Sequence, residues 1–377
     1  MMSEDYEYKI AANLGEDIEL DESHSLEHFH LPELDSKKSH VFEIFDSAPK
    51  FFYGSVVRTI DEKRNHEFLP VRKSCFTIRG HEFTVEMFPG TIFEKKSRQD
   101  DTNVYRQYYP GEVEEVICDV ILKMATTQGR SAYFRKKNDE NKSNGVYVWF
   151  TLYELQQELK TLGHSHNIPR IKKAIEILTR SQMTIEGKIN GGKFSFSGSI
   201  FDSLAMTTKA DWETFGKSAK IVIQLNSILL RSIEAGTFRL LNFEKNMSLR
   251  EPVAKWLHKK LTLMWKFASP SSKDSFQILL TTILNQSGMN PKMRFRVARQ
   301  SIQKALEELK SRDILISYEE KALLDPEKRK GTISDVKYFL QPSPSFISEI
   351  ILANKREKTV RKKMSERALN GKINLDD

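Results

Sequence analysis

The chain has 377 residues, 39% of them hydrophobic, two cysteines and a formal net charge of +8. That length exceeds a usual single domain and predicts two, each able to bury its own core. Cys75 and Cys118 lie far apart and outside any CxxC spacing, which argues against a disulfide framework or structural zinc site and leaves both as apolar fillers. The start MMSEDYEYKI has no basic, apolar leader, and no run reaches the length of a membrane span, so the expectation is a cytoplasmic protein without a membrane partner.

The charge is unevenly placed. Met1 to Asp46 carries 13 acidic and 3 basic residues, a balance of −10, so the remaining 331 residues carry +18. A basic body suits a polyanion, because Lys and Arg that neutralise phosphates release condensed counterions.

In chain order, residues 1–40 are acidic and non-periodic and read as a flexible tail, with residues 41–73 as a linker. A first domain is expected over residues 74–235. Val113, Val116, Ile117, Val120, Ile121 and Met124 recur at helical spacing and predict a helix from about Glu112 to Thr127. The polar run RSAYFRKKNDENKSNG reads as a loop and VYVWF as a strand. Thr151-Leu152-Tyr153-Glu154 is a capping box for a second helix that Gly163 ends. HSHNIP makes a turn into a third helix with Ile171, Ala174, Ile175 and Leu178 inward, and MTIEGKINGGKFSFSGSIF alternates around Gly-Gly as a β-hairpin. Three helices and a hairpin describe a winged helix.

The order recurs over residues 236–345. It predicts helices from Ser248 to Phe267 and from Asp274 to Gln286, then a third helix with Ala298, Ile302, Ala305, Leu306 and Leu309 inward. A hairpin of DILISYEE and TISDVKYFL with its tip at LLDPEKRKG follows. The two third helices are an internal repeat: Lys173-Ala174-Ile175-Glu176-Ile177-Leu178 aligns with Lys304-Ala305-Leu306-Glu307-Glu308-Leu309. Residues 346–377, dense in charge, read as a C-terminal tail or exposed helix. The fold class is therefore α+β, mainly helical, with two tandem winged-helix domains behind a disordered acidic tail.

A helix-turn-helix sets its second helix in the major groove, where Arg, Lys, Gln and Asn read purine edges and their neighbours hold phosphates. The expected DNA-contacting residues are Asn167, Arg170, Lys172 and Lys173 on the first third helix, and Arg294, Arg296, Arg299, Gln300, Gln303 and Lys304 on the second. Lys188 and Lys193 are expected at a wing tip beside phosphates. Gly187 to Phe194 has P-loop spacing, but Phe194 replaces the Ser or Thr and the run continues as a strand, so no nucleotide site is expected. His28-Phe29-His30 has the form of the metal pair in rolling-circle nicking enzymes, with Tyr105, Tyr108 and Tyr109 as conceivable nucleophiles; its place in an acidic tail favours solvated histidines. His164 and His166 read as turn polars, and Trp149, Trp212, Trp256 and Trp265 as core. No cofactor, metal or catalytic residue is expected.

The arrangement resembles plasmid replication initiators of the TrfA and RepA type. The likeness is carried by Trp149-Phe150-Thr151-Leu152-Tyr153-Glu154-Leu155, by Lys172 to Ile185, by FRLLNFEKNMSLREPVAKWLHKKL at Phe238 to Leu261, and by Arg299 to Ile316. Val41 to Pro49, VFEIFDSAP, resembles those initiators' Gln-Leu-x-Leu-Phe-Asp-x-Ala-Pro segment that docks on the sliding clamp, with Val41 in place of Gln and Phe42 in place of Leu. The resemblance implies a non-catalytic initiator that binds duplex DNA at direct repeats of an origin (iterons), helps open the origin, recruits host helicase and host initiator, touches the clamp through Phe42, Ile44 and Phe45, and forms homodimers with copy-control roles. A winged-helix transcriptional regulator and a rolling-circle nicking enzyme are the alternatives.

Overall fold

The computed structural model describes residues 18–21, 25–54, 57–60, 68–95, 103–136, 144–189, 192–206, 220–267, 275–324 and 333–373. The N-terminal part holds β1 (Ile18–Leu20), β2 (Lys38–Phe42), the short helix α1 (Glu43–Ser47) and then β3 (Val57–Ile60), β4 (Arg72–Ile78), β5 (His81–Phe88), β6 (Gly90–Lys95) and β7 (Asn103–Tyr108). Next come α2 (Glu112–Ala125), β8 (Ser131–Lys136), β9 (Asn144–Thr151), α3 (Leu152–Thr161), α4 (Ile168–Arg180), β10 (Gln182–Ile189), β11 (Gly192–Ser199), β12 (Phe201–Met206), β13 (Lys220–Leu225) and α5 (Ser227–Glu234). The last third comprises β14 (Phe238–Asn242), α6 (Phe243–Ser248), α7 (Pro252–Met264), β15 (Phe276–Leu279), α8 (Leu280–Gln286), α9 (Phe295–Ser311), β16 (Leu315–Leu324), β17 (Ile333–Pro342) and α10 (Pro344–Ile373).

Helix α3 starts as its capping box predicts: Thr151 Oγ1 accepts from Glu154 N at 3.0 Å and the Glu154 carboxylate accepts from Thr151 N at 2.7 Å. Gly163, at φ 83°, closes it in the left-handed region. Asn167 Oδ1 accepts from Arg170 N at 3.0 Å and opens α4, which buries Ile171, Ala174, Ile175 and Leu178 as expected. The wing is larger than a hairpin. β10 pairs β11 on one side and β5 on the other, giving the order β11-β10-β5-β4. At Gly187 an added Cβ would lie 2.4 Å from the Phe83 ring, so only glycine lets the two strands and that ring pack together.

The five-stranded sheet β1-β8-β9-β13-β12 backs the first helical unit, and the smaller sheet β3-β7-β6 packs against α4 through Ile92, Tyr108 and Ile177. Among the described residues 42% are helix and 35% strand, which corrects the expectation of a mainly helical chain. The difference lies in strands too short or too charged to read as such: β8 sits in the run expected to be a loop, where Tyr133 and Phe134 are buried between basic neighbours.

In the second unit, the helix expected over Ser248–Phe267 is α7, preceded by the separate α6. The helix expected from Asp274 begins only at Leu280, and Phe276–Leu279 instead pairs with Lys337–Leu340 as a strand. Its first turn is held from the wing, where Asp335 accepts from Thr281 Oγ1 at 2.5 Å and Thr281 N at 3.2 Å. Asp274 lies outside the described residues, as do the hairpin tips at 190–191 and 325–332. Helix α9 buries Ala298, Ile302, Ala305, Leu306 and Leu309 as expected, and β16 pairs β17 as its hairpin.

Packing departs from expectation at several places. Order begins well before residue 41: Phe29 is fully buried, its ring 5.2 Å from His40 and 5.5 Å from Phe238. His28 and His40 are buried and His30 is half-buried, with one polar tip each, bonding Ile233 O at 2.8 Å, Phe29 O at 2.8 Å and Ser131 Oγ at 3.0 Å respectively. Composition reads such histidines as solvated, whereas neutral imidazoles with a carbonyl or hydroxyl partner are buried at little cost. The segment resembling a clamp peptide is likewise interior. β2 pairs β14, Phe42 and Phe45 are each 1% exposed and Ile44 is half-buried, which is a first strand packed on the body. Finally, α10 lies along β14, with Ala353 and Val360 buried and Arg239 bonded to Glu357 and, at 2.8 Å, to Asn354. Residues 1–17, 22–24 and Trp212 fall outside the described residues; Trp149, Trp256 and Trp265 are buried as expected. Cys118 is buried, but Cys75 is exposed and fills no core.

The two helical units are tied through α2 and α7. Lys259 Nζ, on α7, lies 2.7 Å from Asp119, 3.5 Å from Glu115 and 3.8 Å from Asp46, all buried. Tyr53 donates to Glu115 at 3.0 Å, and its N–H reaches Gly288 O at 3.0 Å, so the segment after α1 bridges both units.

Candidate nucleic-acid interface

Helix α4 buries one stripe and turns its basic side outward, but two of its cations are already engaged. Arg170 lies 3.3 Å from Glu114, a buried carboxylate that also caps α2 by accepting from Gly111 N at 2.8 Å. Lys173 Nζ is 2.6 Å from Glu94 and 2.8 Å from Tyr108 Oη. Burial works against its charge, but these two bonds win and hold the Lys173 pKa above its ordinary value. Lys172 is half-exposed, and Asn167 spends its side-chain oxygen on the helix cap. A cleft of about 480 Å³ beside Arg106, Arg170 and Lys173 has its cations neutralised by Glu94 and Glu114, so it is no vacant anion pocket.

On the first wing, Lys188 and Lys193 stand directly opposite each other across β10 and β11, both exposed. Directly opposed like charges cost free energy in a ladder, and a phosphate between them would remove that cost. The second wing repeats the feature with Lys321 opposite Lys337, a pair that the sequence reading passed over because register across a hairpin is invisible until the turn is known.

Helix α9 is the more open of the two. Arg294 stands at its N-cap position without a side-chain cap bond, and no acid lies in the first turn, so the helix N-terminus adds its partial positive charge to Arg294 and Arg296. Arg294, Arg296, Gln300 and Lys304 are exposed. Arg299 and Gln303 face the wing and share Glu320: Arg299 Nε and Nη2 donate to Oε2 at 3.0 and 2.7 Å, and Gln303 Nε2 donates to Oε1 at 2.9 Å. Glu94, Glu114 and Glu320 were missed from sequence because each sits on a different element from the cation it holds. Only Glu94 carries a local signal, as a lone glutamate in the strand GTIFEK; Glu114 stands among other acids at the start of α2 and Glu320 beside Glu319.

Among the described residues no group of three His, Cys, Asp or Glu gathers around the histidine pair offered for nicking chemistry, whose rings bond Ile233 O from His28 and Ser131 Oγ from His30. Burial, with His28 as neighbour, pushes His30 down to about 4. Gly187–Ile189 and Gly192–Phe194, the described parts of the P-loop-like run, are paired antiparallel strand and not the start of a helix that a P-loop requires. His164 Nε2 bonds Met247 O at 2.9 Å, joining the turn before α4 to α6, so it serves the fold. Among the described residues no helix is long and apolar enough to cross a membrane.

No protein-family model matches the chain, and no curated protein matches it. Solved structures are similar to it at low identity. Domains 2–3 of RctB superpose with a TM-score of 0.41 at 10% identity, covering 82% of this chain and 99% of that one. A selenomethionine form of RctB domains 2 and 3 gives 0.39 at 10% identity over 72% of this chain and 91% of that one. The Pi initiator protein, solved in complex with iteron DNA, gives 0.35 at 11% identity over 52% of this chain and 82% of its own.

Proposed function

We propose that the chain is a non-catalytic, sequence-specific binder of duplex DNA that reads successive major-groove segments with α4 and α9, and that it acts as an initiator at repeated origin sites. The observation that carries this is the duplicated unit: twice, three helices end in an amphipathic helix with a basic outer face, followed by a wing bearing directly opposed lysines. The two readers differ in side chains and belong to one chain, joined by a buried ionic cluster around Lys259. Two unlike readers in one chain need no twofold symmetry in the DNA, which suits direct repeats as well as single sites. Host helicase and host initiator are the partners that role requires.

The test is a gel shift and nuclease footprint on DNA flanking the coding sequence, with random duplex as competitor at moderate salt. Regularly spaced protection over direct repeats supports the initiator reading. Protection of one promoter-proximal site makes the protein a regulator instead, and salt-sensitive binding without a footprint refutes sequence reading altogether. Relaxation of supercoiled plasmid with a protein–DNA adduct would overturn the non-catalytic assignment.

A further inference from the structure

Arg299 and Gln303 lie one helical turn apart on α9 and converge on one carboxylate, Glu320 of β16. Glu320 stands opposite Tyr338 in the wing ladder, and Tyr338 is fully buried, so both side chains occupy the sheet face that α9 covers. The Glu320 side chain is 14% exposed and that of Arg299 38%, which sets the carboxylate beneath and the guanidinium toward solvent. We propose that Glu320 is a positioning residue for base reading, holding Arg299 and Gln303 in single orientations for the major groove; this rests on the assignment of α9 as a duplex-reading helix.

The chemistry of the three groups gives the reason. Guanidinium carries five N–H donors, and Glu320 takes the Nε–Nη2 edge, leaving the Nη1 side as the fork that faces outward. An arginine fork is the donor pair that guanine O6 and N7 accept. The amide of Gln303 can present either end, but an ionised carboxylate only accepts, so the NH2 must turn to Glu320 and the carbonyl oxygen with the second N–H remain outward. That donor–acceptor pair is the complement of adenine. The carboxylate also offsets the charge of Arg299, so this arginine adds little to attraction for phosphates of any sequence. Holding both rotamers in advance saves their ordering cost on binding and withholds a free cation from random DNA.

The rival role is a staple that only fastens α9 to its wing. Gln at position 320 separates the two, because its carbonyl can still accept from Arg299 while its NH2 cannot accept from Gln303. The full-length chain and its Glu320→Gln variant are each put through selection of bound sequences from a randomised duplex library. Affinity for the selected and random duplexes, and melting temperature, are then measured for both, with Glu320→Ala as a second variant. The expected result is that Glu320→Gln lowers discrimination about 10-fold, at the same base positions that Arg299→Ala loses, while random-duplex affinity holds or rises. Unchanged discrimination with a lower melting temperature leaves a staple and overturns the proposal alone. Failure of the unaltered chain to enrich any sequence removes the duplex-reading assignment itself, and this inference with it.

Discussion

Lys259 Nζ lies 2.7 Å from Asp119 across the junction of the two helical units, with α7 supplying the ammonium and α2 the carboxylate. Asp46 and Glu115 complete the ring, so one lysine faces three buried acids. Removing the lysine leaves those acids without their shared partner, and breaking a buried pair from one side costs far more than the pair contributes. Lys259→Met should therefore lower stability by about 3–5 kcal/mol. Urea unfolding would read it, and a loss below about 1 kcal/mol would mean that the cluster is solvated and leaves the units free to move.

Acid should destabilise the fold from just below neutrality. Burial pushes His40 and His258 down to about 3 and His30 to about 4. A folded value below the unfolded 6.5 favours the neutral ring, so this stability is whole above pH 6.5 and is lost as pH falls toward 4 and 3. Asp119 acts in the opposite sense. Burial raises it, Lys259 lowers it, and Glu115 and Asp46 raise it again to about 6, so its contribution is lost as pH rises from 3.8 through 6. Each group is worth roughly 1.4 kcal/mol per pH unit within its window, and three histidines outweigh one aspartate. Urea midpoints should drop steadily between pH 6.5 and 4.5; a flat profile would refute the buried-neutral histidines.

Phe45 tests whether the Val41–Pro49 segment belongs to the core. At 1% exposure, Phe45→Ala should cost about 3–5 kcal/mol of stability. A docking peptide would lose partner affinity and keep its melting temperature. Calorimetry of the isolated chain discriminates the two, and an unshifted transition would contradict the burial seen here.

Wing and helix should separate in their DNA effects. Lys193→Ala removes half of an exposed lysine pair and should weaken selected and random duplex alike, lowering the slope of log affinity against log salt by about one. Gln300→Ala, on the exposed face of α9, should cost about 1–3 kcal/mol on the selected site alone. Fluorescence anisotropy titrations across a salt series measure both, and equal losses for Gln300→Ala on the two duplexes would strike it from the base-reading set.

The helical skeleton was legible because its signals are local. The capping box at Thr151–Glu154, the stop at Gly163, and the apolar stripes of α4 and α9 all lie within a few residues of what they specify. What escaped is set at a distance. β5 joins the first wing in a register that places Phe83 opposite Gly187, and Asp335 holds the first turn of α8 from a position 54 residues after Thr281. The candidate site was half legible for the same reason. Counting cations on the third helices found Arg170, Lys173 and Arg299, but their partners Glu114, Glu94 and Glu320 are supplied by other elements. Histidines and phenylalanines near the N-terminus misled because composition cannot tell a solvated ring from one packed against Phe238.

Whether both third helices contact one duplex is read by a hydroxyl-radical footprint of the full-length chain on a selected duplex. Contact by both should give two protected tracts whose centres lie about 10 base pairs, one helical turn, apart, with one tract weakened by Gln300→Ala and the other by Lys172→Ala. A single short tract, or one that both substitutions weaken equally, would contradict it.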